Sequence, residues 1–375
     1  MKTLAAVLHE RGLPPPYAES RPLVIAELEL DPPGPGEVLV QMAAAGLCHS
    51  DLSVINGSRL WPLPMVIGHE ACGHVAETGP GVSDLRAGDP VVFSFLPTCG
   101  HCPMCAAGRA SLCEPGVAAN RAGRLLSGAV RFHDASGGAV HHHSGVAGYS
   151  QFTVVARESV VKIDPDIPME TAVLFGCAVM TGVGAVVNTA KVAAGTSVAV
   201  FGLGGVGLSA IMGAKAAGAH PVIGVDRLAS KLDLAGKCGA THTVDASVTD
   251  AVAAVREITR GGAETAFEAV GCENVIAQAF AATRRGGRTV TIGLPHPDRT
   301  LTIPALTVTA EERVLMGSYM GSCVPSRDIP RFIAMYRAGL LPVDLLRSSI
   351  IALDSVNAAF DLLDRGEVAR QVIRY

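Results

Sequence analysis

Charge is scarce in this chain. Only 17% of its 375 residues are Asp, Glu, Lys or Arg, and 34 acidic against 30 basic side chains leave a formal net charge of −4. No excess of cations marks it as a binder of nucleic acid or of an anionic membrane, so a small-molecule partner is expected. An unbroken apolar run of membrane-spanning length is also missing. The two uncharged stretches that approach it, 171–190 and 193–214, are interrupted by glycines and by Thr, Asn or Ser, and are expected to be buried elements. A cleavage site is absent too. The apolar opening ends at His9-Glu10-Arg11 with no small-residue signal after it, so export is not expected and a cytoplasmic location is.

What the chain has in quantity is apolar material, at 49%, and glycine, at 42 residues. Its length exceeds what one hydrophobic core normally serves, so two domains are expected. Ten cysteines are present, and four of them fall between positions 99 and 113 at metal-like spacing, which favours ligation in a reducing compartment over disulfides. Cys72, Cys238, Cys272 and Cys323 have no visible partner and are expected as core thiols.

The most chemically loaded stretch is Gly46-Leu47-Cys48-His49-Ser50-Asp51, followed by Gly68-His69-Glu70 and, far downstream, Gly176-Cys177. A lone buried Cys or His is ordinarily core. Two thiols and an imidazole, however, are a ligand set that a borderline-soft divalent ion takes while keeping a fourth tetrahedral position open, which is the character of a catalytic site.

Around this stretch the chain alternates apolar and polar positions, as in Val38-Leu39-Val40-Gln41-Met42, with Gly- and Pro-rich turns, and strands of a β-rich domain are expected. Cys99, Cys102, Cys105 and Cys113, spaced by two, two and seven residues, suit a closed tetrahedral zinc site of structural type. An iron–sulfur cluster is the competitor, but the ferredoxin run has a gap of three and a Pro after its last Cys, where this chain has seven residues and Glu114. Residues 114–148 show no sustained periodicity, and His141-His142-His143 is expected in a partly solvated loop.

From Gly195 the texture changes. A short apolar strand, 196–201, runs into Gly202-Leu203-Gly204-Gly205-Val206-Gly207, a helix follows, and Asp226 stands at the end of a second strand, 19 positions on (226 against 207). That context, more than the glycines alone, points to a dinucleotide whose pyrophosphate sits at a helix N-terminus. Asp226 would accept from ribose hydroxyls and repel a 2′-phosphate, favouring NAD, although Arg227 beside it could serve a phosphate. Alternating strands and helices to about residue 320 describe a doubly wound parallel sheet.

Taken together, these motifs resemble the zinc-dependent alcohol dehydrogenases of the medium-chain dehydrogenase/reductase superfamily over essentially the whole chain. The resemblance implies an α/β protein: a GroES-like β-rich catalytic domain at 1–178, a Rossmann cofactor domain at 179–320, and a segment, 321–375, returning to the first. It implies two zinc ions per chain and NAD as cofactors, and a homodimer or homotetramer. By position, Cys48, His69 and Cys177 would hold the catalytic zinc, Asp51 would orient His69, and Glu70 would be the neighbouring carboxylate. His49, Lys231 and Arg370 match cofactor contacts, beside Gly202, Gly204, Gly205, Val206, Gly207 and Asp226. Ser50 would take the proton of the alcohol, with helix capping as its structural alternative. Where several members end that proton relay with a His, this chain has Ser53. Phe95, Trp61 and Arg59 match the substrate channel; a plain core role for Phe95 and a solvated Arg59 are the bland alternatives.

The expected activity is the interconversion of primary or aryl alcohols and aldehydes, by hydride transfer to NAD from an alkoxide that a Lewis-acidic ion stabilises. A thiol-adduct (S-hydroxymethyl) formaldehyde dehydrogenase is the alternative within the class. A catalytically inactive nucleotide-binding protein is the alternative outside it.

Overall fold

The computed structural model describes residues 1–375, which divide into two units. The first comprises Met1–Cys177, Val324–Pro330 and Arg347–Tyr375; the second comprises Ala178–Cys323 and Arg331–Leu346. Residues 331–346 therefore group with the second unit, where the sequence pattern had kept all of 321–375 with the first.

In the first unit, five strands close a barrel in the order Lys2–Leu8, Leu23–Leu30, Phe132–His133, Ala139–His142 and Met65–Val66. A seven-stranded sheet carries the site. Its central strand, Glu37–Gly46, pairs antiparallel with Glu70–Thr78, Phe152–Ala156 and the last strand of the chain, Arg370–Arg374. The apolar alternation read from the sequence explains the placement: Val38, Val40 and Met42 point into a core with Val75, Val91, Phe93 and Val155, while Gln41 is exposed.

Residues 114–148 are more ordered than their composition suggested. They contain helix Glu114–Arg121 and two barrel strands; His141 and His142 lie on one of them, paired to Met65 and Val66, and His143 opens the short turn that follows. His142 and His143 are buried, contrary to the expectation of a partly solvated loop. Closing the barrel turned them inward.

The second unit is a six-stranded parallel sheet. Its spatial order is His242–Asp245, Val222–Asp226, Val198–Phe201, Ala263–Glu268, Thr283–Thr291 and Val314–Gly317, which in chain order reads 3-2-1-4-5-6. This is the doubly wound dinucleotide-binding arrangement, whose strand order reverses beside the first strand. Strand Val198–Phe201 is buried along its whole length, as a strand covered by helices on both faces must be. No single helix of the chain is long and apolar enough to cross a membrane.

Candidate active site

The site begins where strand Glu37–Gly46 ends. Cys48, in extended conformation, is the N-cap of helix His49–Ile55, and Asp51, in the first turn, folds back to accept the Cys48 N–H at 3.1 Å. Because Cys48 occupies the cap, Ser50 lies inside the helix, half-buried, and is not the capping residue. Ser53 donates its hydroxyl to the His49 carbonyl at 2.9 Å, a bond within the helix itself. His49 is exposed.

His69 sits just ahead of strand Glu70–Thr78. Gly68 before it has φ +98, and a Cβ there would lie 2.5 Å from the Tyr149 ring, so only glycine lets the chain turn at this point. Cys177 follows a short helical turn, Val173–Gly176. Close backbone packing, which both motif glycines permit, brings the distant ligands together. One donor atom each from Cys48, His69, Glu70 and Cys177 lies within 4.8 Å of the others, and Cys177 Sγ is 3.5 Å from His69 Nε2. All four residues are buried.

Asp51 organises the imidazole. Its Oδ1 takes His69 Nδ1 at 2.8 Å, and its Oδ2 accepts the Tyr149 hydroxyl at 3.0 Å. A proton held on Nδ1 leaves the Nε2 lone pair free for an ion, the usual arrangement behind a metal-binding His. Burial alone would raise the Asp51 pKa, yet His69 and His143 bring it below the ordinary carboxylate value. Of the two buried thiols, Cys48 is the more acidic: the neighbouring Cys177 thiol and the Arg370 guanidinium bring it well below the ordinary thiol value despite burial, while Cys48 and burial push Cys177 up. Burial pushes Glu70 up to about 8.

These residues fit a divalent cation. Neither buried Glu70 oxygen accepts a well-formed hydrogen bond, although Arg370 Nη2 lies 3.2 Å from Oε1. Two thiols, an imidazole lone pair and an under-satisfied carboxylate, all buried, are a donor set that zinc satisfies and burial otherwise penalises.

The second cysteine cluster is self-contained. Cys99, Cys102, Cys105 and Cys113 also bring their sulfurs within 4.8 Å of one another. Backbone N–H groups of Cys99 and Gly116 point at Cys113 Sγ (3.2 and 3.4 Å), and Cys102 N–H points at Cys99 Sγ (3.3 Å). Such donors stabilise thiolates, and four sulfurs with no competing oxygen suit a closed structural zinc site.

Phe95 is only partly buried and meets His69 edge-on, with ring centroids 5.6 Å apart. Trp61, likewise partly buried, meets His143 at 5.1 Å, and His143 in turn lies 5.6 Å from His69. Phe95 and His143 thus border the ligand His69, and Trp61 stands behind His143. Arg59 is partly buried, its N–H bonded to the Ser53 carbonyl at 2.8 Å, on the same loop as Trp61. Arg370 is packed against Cys48 Sγ, at 3.4 Å, and Glu70. His143 and Tyr149 were not singled out from the sequence; no spacing links either to Cys48 or His69.

In the second unit the glycine turn lies between strand and helix as its spacing demands. Gly202 has φ +89, and Gly204 is the N-cap of helix Gly205–Ala216, without a side-chain cap. A Cβ on Gly204 would meet nothing within 4 Å, whereas one on Gly207 would overlap the Gly202 carbonyl. The helix N-terminus therefore faces open ground with unpaired N–H groups, as a pyrophosphate requires. Val206 is half-buried in its first turn. Asp226 Oδ2 accepts the Leu203 N–H at 2.7 Å, and Oδ1 accepts those of Arg227 and Leu228 at 2.7 and 3.1 Å. The carboxylate so ties the strand end to the glycine turn. Lys231 is buried in the next helix, Ala229–Cys238, and Arg227 is exposed.

Comparison with known proteins agrees with this geometry. Residues 34–165 match the alcohol dehydrogenase GroES-like domain, and residues 205–338 match the zinc-binding dehydrogenase family. The chain is 40% identical to an NDMA-dependent alcohol dehydrogenase of Amycolatopsis methanolica, over 100% of this chain and 99% of that one. It is 35% identical to an S-(hydroxymethyl)glutathione dehydrogenase of Paracoccus denitrificans, over 100% of both. Its structure superimposes on that of benzyl alcohol dehydrogenase from Acinetobacter calcoaceticus with a TM-score of 0.92 and 31% identity, covering 100% and 99% of the two chains.

Proposed function

This chain belongs to the zinc-dependent alcohol dehydrogenases of the medium-chain dehydrogenase/reductase superfamily and is an NAD-dependent enzyme with a small-molecule substrate, and from that premise we propose that it interconverts primary or aryl alcohols and aldehydes. The observation that carries the reading is the convergence of Cys48, His69 and Cys177 beside the rings of Phe95 and His143. These three side chains would hold the catalytic zinc, and the four-cysteine cluster the structural one. Zinc at the first site supplies Lewis acidity that lowers the pKa of an alcohol hydroxyl, and NAD supplies the hydride acceptor.

The chain's own groups do the rest. Asp51 keeps the His69 ring in one tautomer. The Ser50 hydroxyl, in the first turn beside Cys48, accepts the alcohol proton and passes it toward solvent, with exposed His49 next along the path. Ser53 takes no part, since its hydroxyl is bonded inside the helix. Phe95 and Trp61 offer apolar faces to the body of an aryl alcohol, and the relative from Acinetobacter, named for benzyl alcohol, supports that choice. Arg59 remains on the polar side of this loop. Asp226 and Lys231 address the adenosine ribose, with Gly202, Gly204, Gly205, Val206 and Gly207 leaving room for the pyrophosphate. Arg370 balances the buried charge of Glu70.

A homo-oligomer fits the exposed parallel edge of the second unit, where strand Val314–Gly317 has no outer neighbour and Leu306 nearby is 77% exposed. The deciding experiment pairs metal analysis with an alcohol panel read by NADH absorbance. Two zinc ions per chain and turnover of benzyl-type alcohols are expected, with Cys48→Ser losing oxidation while still binding NAD. Turnover of formaldehyde only when a carrier thiol is added would replace this substrate class with the thiol adduct named in the Paracoccus relative. Normal turnover by Cys48→Ser would remove that residue from the site.

A further inference from the structure

Asp51 is fully buried, and four groups surround its carboxylate. Cys48 N–H (3.1 Å) and the Tyr149 hydroxyl (3.0 Å) meet Oδ2, while His69 Nδ1 (2.8 Å) and His143 Nδ1 (3.2 Å) both meet Oδ1. The first three have evident tasks in capping a helix, bracing the carboxylate and orienting a ligand. His143 has none in the chemistry proposed above. It lies in a short turn, His143–Gly145, 2% exposed, with its ring wedged between Trp61 and His69.

A phenyl ring would fill that wedge without bringing a polar atom into it. An imidazole needs a reason, because a buried N–H without an acceptor costs about 1–3 kcal/mol. In the neutral imidazole one ring nitrogen carries a proton and the other accepts. The polar atom nearest Nδ1 is Asp51 Oδ1, at 3.2 Å, a contact short of full hydrogen-bond geometry that a small rotation of the ring would complete. The His143 and His69 rings cross at 79°, so the two nitrogens come to the same oxygen with their rings in different planes.

We propose that His143 is a positioning residue for the metal site: by offering Nδ1–H to the oxygen that also receives His69 Nδ1–H, it fixes the rotation of Asp51 and, through it, the direction of the His69 Nε2 lone pair. The inference rests on the reading that Cys48, His69 and Cys177 hold zinc. Its effect is on how firmly the ion is held, since groups behind a metal-ligating His typically govern about 10–100-fold in metal affinity. No contact between His143 and substrate is involved.

The test uses the full-length, zinc-loaded enzyme without cofactor or substrate, and follows zinc release to an excess of chelator. His143→Phe fills the wedge but has no donor; His143→Asn is smaller but restores an N–H near the place of Nδ1. Wild type should hold two zinc ions, and His143→Phe should release one of them about tenfold faster while the other leaves at the wild-type rate. His143→Asn should return to within about threefold of wild type. The same order should appear in the visible spectrum of cobalt substituted at the three-ligand site, shifted in His143→Phe and restored in His143→Asn. Equal release from wild type and His143→Phe, or equally fast release from both variants, would overturn the role, the second result marking lost packing rather than a lost donor. A wild-type chain holding a single zinc would overturn the ligand reading and this proposal with it, whereas two zinc ions with unaltered release would sink the role of His143 alone.

Discussion

Arg370 and Glu70 form an ion pair, Nη2 to Oε1 at 3.2 Å, in which both side chains are almost wholly removed from solvent. They come from strands on opposite sides of Gly46, which pairs with Glu70 on one side and Val372 on the other. A side chain at position 46 would collide with the pair, since its Cβ would stand 2.6 Å from Glu70 Oε2. The glycine of the first motif thus makes room for a charge pair brought in by the end of the chain.

Removing one partner of a buried pair is far more damaging than removing both. Arg370→Met is expected to cost about 3–5 kcal/mol of stability. Arg370→Met combined with Glu70→Gln should recover most of that loss. Thermal unfolding of the zinc-loaded singles and double, analysed as a cycle, checks it; equal losses for the single and the double variant would show that the pair carries no coupling.

The four-cysteine lobe makes a prediction separable from catalysis. Cys99→Ala should lower the metal count from two to one and expose the 99–113 loop to limited proteolysis. NADH binding should be unaffected, because the glycine turn and Asp226 belong to a different unit. Metal analysis, trypsin mapping and nucleotide titration of one preparation suffice.

His142 gives a pH dependence whose direction is determined by burial, which holds it down to about 3 while its Nε2 accepts the Arg131 N–H at 3.1 Å. In the unfolded chain the same ring takes a proton near 6.5. Between those values the unfolded state binds one more proton than the folded one. The contribution is complete above pH 6.5 and is lost as pH falls through the window, at up to about 1.4 kcal/mol per pH unit. His142→Gln keeps an acceptor but cannot take the proton, so its urea midpoint should decline less between about pH 6.5 and 4 than that of wild type.

Asp226 offers a test of cofactor choice. Replacing it with Ser removes the charge that repels a 2′-phosphate and leaves exposed Arg227 free to meet one. The ratio of NADP to NAD affinity should rise by an order of magnitude or more, since hydrogen bonds to a charged group are worth roughly 1.5–3 kcal/mol. Absolute affinity for NAD should also fall, because the carboxylate holds the Leu203 N–H of the glycine turn. An unchanged ratio would contradict the assignment.

What could be read from the sequence shares one property: its signal is local or has a fixed spacing. Cys99 to Cys113, the turn from Gly202 to Gly207, and strands such as Val198–Phe201 declare themselves within a few positions. Strands Val314–Gly317 and Arg347–Ile351 did not, being short and only partly buried, so neither shows a clean apolar alternation. His143 and Tyr149 were missed for another reason. Tyr149 reaches Asp51 across 98 residues, and His143 lies in the turn just after the strand that closes the barrel against Met65 and Val66. Three adjacent histidines carry no trace of that closure. Ser53, which stands where several members of the family end the relay with a His, donates its hydroxyl to the carbonyl four residues back, a local bond that the sequence does not announce.

The two ligand sets differ in how far apart their members lie along the chain. Cys99 and Cys113 are 14 residues apart, so the lobe they close can take up its ion as soon as that short segment has emerged from the ribosome. His69 and Cys177 are 108 residues apart, and the Arg370 that faces Cys48 comes only with the final strand. On the proposed ligand assignment, the three-ligand site is expected to need most of its unit folded before it can hold an ion, whereas the lobe needs only its own short segment; metal loading of the two sites at limiting zinc should therefore be separable in time.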